Sequence, residues 1–179
     1  MKHRGLTWIL TAGIMTVGAS GRAGFSADPT TTKHLTVATS AIPAAVAPGA
    51  RVSLVVEVAP KPAMHVYAPG QKDFIPVSLT LAASDAIKAE TAQFPVAEKL
   101  EVKELGETHL VYTKPFRIVQ DVTIAKSALV RRSSTITVKG TLKYQACDTS
   151  ICYAPVSVPV TWTLALQLQG EVPGSVKKR

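Results

Sequence analysis

The sequence predicts an all-β chain folded as a two-sheet sandwich, and three observations carry that prediction. From Lys33 onward apolar and polar residues alternate, β-branched residues are frequent, and Pro and Gly punctuate the chain at short intervals. No stretch sustains the apolar period of a long amphipathic helix.

A different pattern precedes the fold. Lys2 and Arg4 lead into an uncharged, largely apolar run from Gly5 to Gly21, with small residues at Ala19, Ala23 and Ala27. That is the order of a secretory signal peptide, with cleavage after Ala23 or Ala27. Thr7, Thr11, Gly13 and Thr16 interrupt the run, which therefore lacks the about 20 strongly apolar residues of a membrane anchor. Residues 1–27 are read as signal and cleavage region, 33–169 as one domain and 170–179 as a basic tail. Loss of Lys2, Arg4 and Arg22 takes the formal net charge from +8 to about +5. No aromatic residues interleave with Lys or Arg as on a nucleic-acid surface, so nucleic acid is not an expected partner.

Within the domain, Arg51 to Val58 places Val52, Leu54, Val56 and Val58 on one face, as a half-buried strand requires. Similar runs are Met64 to Ala68, Pro76 to Ala82, His109 to Thr113, Phe116 to Ile124, Thr135 to Tyr144 and Val156 to Leu168. Asp85 to Ala92 fits either a helical turn or a further strand. Turns are expected at Ala47-Pro48-Gly49, Ala68-Pro69-Gly70 and Leu105-Gly106. Seven or eight short strands at this spacing point to an immunoglobulin-like β-sandwich.

The two cysteines carry the chemistry. The strand ending at Tyr144 runs straight into Gln145-Ala146-Cys147, and Cys152 leads into the last strand, so the thiols face each other across a hairpin loop. In an exported chain they are expected to form a disulfide. That bond closes a short loop, and its chain-entropy contribution is about 2 kcal/mol. The spacing fits both a permanent staple and an exchanging switch. It is not Cys-x-x-Cys, and no helix start follows to lower a thiol pKa.

A resemblance separates these readings. Lys143-Tyr-Gln-Ala-Cys-Asp-Thr-Ser-Ile-Cys-Tyr-Ala-Pro155 resembles the active-site hairpin of the amino-terminal periplasmic domain of the DsbD thiol:disulfide interchange family. Ala63-Met-His-Val-Tyr-Ala-Pro-Gly70 is similar to an early strand of that family, which ends beside the redox site. Phe94-Pro95 and Glu101 to Gly106 fall in order with its cap-loop region, and His109 to Phe116 with the following strand. The resemblance implies an immunoglobulin-like fold and a periplasmic module that passes reducing equivalents. The implied donor is a membrane electron transporter or its thioredoxin-like domain, and the implied acceptors are oxidised periplasmic proteins, among them thioredoxin-fold proteins. Cys152 would form the mixed disulfide and Cys147 would resolve it. No run resembles that family's transmembrane or thioredoxin-like domains, so the expected donor is another polypeptide. The family's cap presents an aromatic residue over the disulfide, where this sequence offers Val102 and Leu105. Leu105 is expected to contact the hairpin, with Tyr67 or Tyr153 adding shielding.

Around the cysteines, His65 and Tyr67 share a strand face and so border the hairpin together. Asp148 reads as a turn former, or as a carboxylate that raises the neighbouring thiol pKa. Cys147, Cys152, His65 and His109 offer ligand types suited to zinc or copper, but neither histidine has ligand-like spacing to the cysteines, so no metal and no cofactor is expected. No nucleophile-elbow pattern supports hydrolase chemistry. The alternative from another class is a non-catalytic immunoglobulin-like binding or assembly domain with a structural disulfide.

Overall fold

The computed structural model describes residues 28–102 and 106–167. The segment read as a signal peptide, Leu105 and the basic tail lie outside them. In chain order the strands begin β1 (Thr30–Thr31), β2 (Leu35–Ile42), β3 (Ala45–Val46), β4 (Arg51–Pro60), β5 (His65–Tyr67) and β6 (Ser78–Leu81). They continue with β7 (Ile87–Ala89), β8 (Glu98–Val102), β9 (Glu107–Tyr112) and β10 (Phe116–Ile124). After a four-residue helix, α1 (Ala128–Arg131), come β11 (Thr135–Tyr144), β12 (Ala146–Cys147) and β13 (Val156–Leu166).

Two sheets form the expected sandwich. One runs β1-β2-β4-β10-β7 and the other β3-β13-β11-β6. Their facing surfaces follow from alternation. In β10 Phe116, Ile118, Gln120, Val122 and Ile124 are buried, and in β13 Val158, Val160, Trp162, Leu164 and Leu166 are buried. Each fully buried Val, Leu or Ile contributes about 1.5–3 kcal/mol, which makes this interface the main source of stability. The indole N–H of Trp162 spans the sheets and donates to the Val55 carbonyl at 3.1 Å. Gly140 is required where β6 pairs with β11, because a Cβ there would lie 2.9 Å from the Thr80 carbonyl oxygen. Among the described residues no helix is long and apolar enough to cross a membrane.

Most expected strands are present within a few residues of their predicted ends. Asp85 to Ala92 resolves as strand, with β7 pairing β10 at Val122↔Ala89. Five strands exceed expectation, the two-residue β1, β3 and β12 and the longer β2 and β8. β2 carries Ala and Ser at several positions and so lacks a strong β-propensity signal, yet it pairs along β4 from Leu35↔Pro60 to Ile42↔Ser53. β8 alternates charged with apolar residues and places Glu101 and Val102 in a strand rather than in a loop.

β8 belongs to a third sheet, ordered β12-β5-β9-β8, which holds the cysteine hairpin. A register change creates it. β11 and β13 pair regularly up to Tyr144↔Val156, but the next facing pair is Cys147 with Cys152. The outgoing chain thus carries one residue more than the incoming chain, a β-bulge across Tyr153 to Pro155. Pro155 has no N–H to donate, so the ladder is interrupted there. Beyond the bulge the incoming chain leaves the sandwich and pairs with β5 at Ala146↔Val66 and Cys147↔His65.

The amino-terminal strand is fastened near this bulge. Thr32 Oγ1 lies 2.9 Å from the Tyr144 hydroxyl, and His34 Nδ1 lies 3.4 Å from it. His34 is 5% exposed, and among the described residues its Nε2 has no hydrogen-bond partner. Burial, then the charges of Lys33 and Lys61, lower its pKa below the usual 6.5. The unfolded chain therefore takes up this proton first as pH falls. The stability tied to neutral His34 is complete above about pH 6.5 and is lost as pH drops through the lower folded value. Denaturant midpoints measured between pH 8 and pH 5 are expected to fall on acidification, with a shallower slope in His34→Phe. An unchanged slope in that variant would show that His34 does not carry the effect.

Candidate functional site

The hairpin loop is built around Asp148. Its Oδ1 accepts from the backbone N–H groups of Ser150 and Ile151, each at 2.7 Å, which closes an Asx-type turn. Its Oδ2 accepts from the Tyr153 hydroxyl at 2.7 Å. Backbone bonds from Asp148 N to Ile151 O and from Tyr153 N to Ala146 O flank the cysteines, so Cys147 and Cys152 occupy the narrow pair of an antiparallel ladder. They are joined by a disulfide, with Cα atoms 4.0 Å apart. The carboxylate is committed to the turn and to Tyr153. The bond from Ser150, then those from Tyr153 and Ile151, hold Asp148 below the usual carboxylate pKa.

The two sulfurs differ in environment. Cys147 is 2% exposed and packs with Tyr67 and Val111, against which the half-buried Phe74 and Leu100 rest. Cys152 is exposed. The Tyr67 hydroxyl donates towards both, at 3.2 Å from Cys147 Sγ and 3.4 Å from Cys152 Sγ. Strand alternation puts Tyr67 there: Val66 enters the sandwich core, while His65 and Tyr67 face the hairpin with ring centroids 5.6 Å apart. Burial, then the Glu107 charge, raise the Tyr67 pKa, which keeps the phenol protonated and a donor.

Phe74 stacks on Tyr67 with centroids 4.2 Å apart and planes at 10°. This aromatic residue beside the disulfide comes from the loop between β5 and β6. Leu105, the expected contact, lies outside the described residues, and Tyr153 rests instead on His34, with centroids 4.5 Å apart. The Gln145 amide joins the Phe74 loop to the hairpin: Oε1 accepts from Ile75 N at 2.9 Å and Nε2 donates to Tyr153 O at 3.1 Å. Nothing periodic marks Phe74 in the sequence. Gln145 stands inside the hairpin motif, but its two-sided clamp depends on a loop distant in sequence.

Tyr67, His65, Phe74, His109 and both cysteines line one open cavity of about 530 Å³. The fold brings both histidines to the cysteines despite their spacing. His109 is buried, with Nε2 2.9 Å from Glu107 Oε2, and its ring meets Phe74 at a centroid distance of 5.1 Å. Burial, then the His109 charge, lower the His65 pKa, against a smaller opposing effect of Asp148. Among the described residues no group of three or more His, Cys, Asp or Glu side chains is arranged to hold a metal ion. A larger groove of about 720 Å³ lies along Glu57, Val96, Tyr112 and Arg117 and contains no cysteine or histidine.

Comparisons with known proteins bear on the same region. No curated protein sequence matches this chain. Among solved structures it is similar to the N-terminal periplasmic domain of ScsB from Proteus mirabilis, with a TM-score of 0.51 and 14% identity over 78% of this chain. The match spans 51% of that chain, about half its length. The GAE domain of yeast GGA1 scores 0.41, with 10% identity over 74% of this chain and 94% of that one. The fold is an immunoglobulin-like β-sandwich. Residues 32–163, including the hairpin, match the family described as thiol:disulfide interchange protein DsbD, N-terminal. The chain therefore belongs to the DsbD amino-terminal domain family.

Proposed function

We propose that the domain works in the periplasm after export, exchanging its Cys147–Cys152 disulfide with thioredoxin-fold proteins. It carries reducing equivalents from a membrane electron transporter, or that transporter's thioredoxin-like domain, to oxidised proteins. The observation that supports this most is the contrast between an exposed Cys152 and a buried Cys147 whose sulfur receives a hydrogen bond from Tyr67.

Access sets the order of events. To accept electrons, a donor thiolate attacks Cys152 Sγ and forms a mixed disulfide. The Cys147–Cys152 bond breaks and its electron pair stays on Cys147. Tyr67 donates a hydrogen bond to that thiolate, which otherwise would be buried without compensation. A second donor thiol completes the step by attacking its partner sulfur in the mixed disulfide and releasing Cys152 as a thiolate. Passing electrons on reverses this: Cys152 attacks the acceptor disulfide, and Cys147 then attacks Cys152 Sγ, expelling the acceptor's thiolate. Each round moves two electrons and needs no cofactor.

Three outcomes are expected. Incubated with an oxidised thioredoxin-fold protein, reduced Cys147→Ala should accumulate a mixed disulfide through Cys152, visible on non-reducing gels. Absence of that adduct would count against exchange and favour a structural disulfide. Reduction of the parent should cost at most about 2 kcal/mol and preserve the β-sheet circular dichroism, because the closed loop is short. Phe74→Ala should raise the rate of disulfide reduction by glutathione roughly tenfold, since exchange rates follow access to the attacked sulfur. Equal rates in parent and variant would remove Phe74 as a shield.

A further inference from the structure

Asp148 and Tyr153 flank the hairpin in a way that bears on the resolving step. Their hydrogen bond closes the same loop as the disulfide but uses none of its atoms. It is supported on both sides. The Asp148 carboxylate is held by Ser150 N and Ile151 N. The Tyr153 ring lies on His34 and beneath Lys33 Nζ, 4.5 Å from the ring centroid, while its carbonyl accepts from Gln145.

We propose that Asp148 and Tyr153 are positioning residues which hold the reduced cysteines face to face, and so set both the stability of the disulfide and the speed of its re-formation. This rests on the exchange reading above. When the sulfur bridge is open, the clasp keeps the residues after Cys147 and Cys152 together, and the flanking backbone bonds keep the narrow pair. Cys147 then stands at high effective concentration towards Cys152. In the resolving step the Cys147 thiolate attacks Cys152 Sγ, the intramolecular S–S bond forms, and the bond from Cys152 to the acceptor sulfur breaks. The electron pair leaves on that acceptor sulfur, which takes a proton from water. The chain's dithiol is oxidised and the acceptor reduced by the same two electrons. A loosened clasp slows this attack and favours the dithiol at equilibrium.

The test compares the full chain with Tyr153→Phe, which keeps the ring against His34 but deletes the hydroxyl, and with Asp148→Asn. Each is equilibrated in glutathione redox buffers and the dithiol fraction is read by thiol alkylation. The lifetime of the Cys152–glutathione mixed disulfide is read by mass spectrometry. Tyr153→Phe should shift the equilibrium towards dithiol by at most about fivefold, the full worth of one net hydrogen bond, because the clasp is stronger when the disulfide holds its partners together, and should lengthen the mixed-disulfide lifetime. Denaturant midpoints of both redox forms provide the control, because a merely structural tyrosine would weaken both forms equally and leave the equilibrium in place. Equal equilibrium constants and lifetimes in parent and both variants would overturn the clasp. A parent that exchanges with glutathione but never with a thioredoxin-fold protein would instead overturn the exchange reading, so the two failures are distinguishable.

Discussion

The antiparallel ladder between β11 and β13 is the constraint on which the cysteine hairpin depends. Its inward residues, from Ile136 to Tyr144 and from Val158 to Leu166, are sealed against the opposite sheet, so a slip by one residue would expose the core. With the register locked, the two chain segments that leave the ladder at Tyr144 and Val156 are delivered side by side. The bulge across Tyr153 to Pro155 then offsets them by one residue and turns Cys147 away from the sandwich towards β5. Position and orientation of the sulfurs thus follow from packing some distance away.

On that scaffold the two faces of the hairpin do different work. The β5 side is largely apolar and aromatic, with Tyr67, Phe74 and Val111 surrounding the buried sulfur and the Tyr67 phenol as a polar contact. The opposite side is polar, with Asp148, Tyr153, Gln145 and Lys33 tying the loop to its own strands and to the amino-terminal strand. In the proposed exchange, Tyr67 acts on the charge that appears when the bond opens, and the polar side acts on the distance between the thiols.

Much of the fold was legible because inward and outward residues alternate cleanly in β10, β11 and β13, and in β4 apart from the buried Val55. β2 and β8 were harder: Ala and Ser dilute one, and charges at Glu98, Lys99 and Glu101 disguise the other. In the site, the cysteine pair and the shared face of His65 and Tyr67 could be read from spacing, because both depend on local chain geometry. Phe74, the reach of His109 and the Gln145 clamp could not, since each arises where the third sheet brings segments distant in sequence together. The role of Asp148 illustrates the limit: its position predicts a turn, but only the direction of its second oxygen reveals the bond to Tyr153.

The break in pairing at Pro155 has a consequence for cooperativity. Regular ladders open together, because each hydrogen bond protects the next, whereas an interrupted ladder divides into units with separate opening energies. The hairpin lies beyond the interruption and pairs with the small third sheet, so its amides are expected to exchange separately from those of the β11–β13 ladder. In the proposed exchange, opening and closing of the bond is then a local event set against the packed interior of the sandwich.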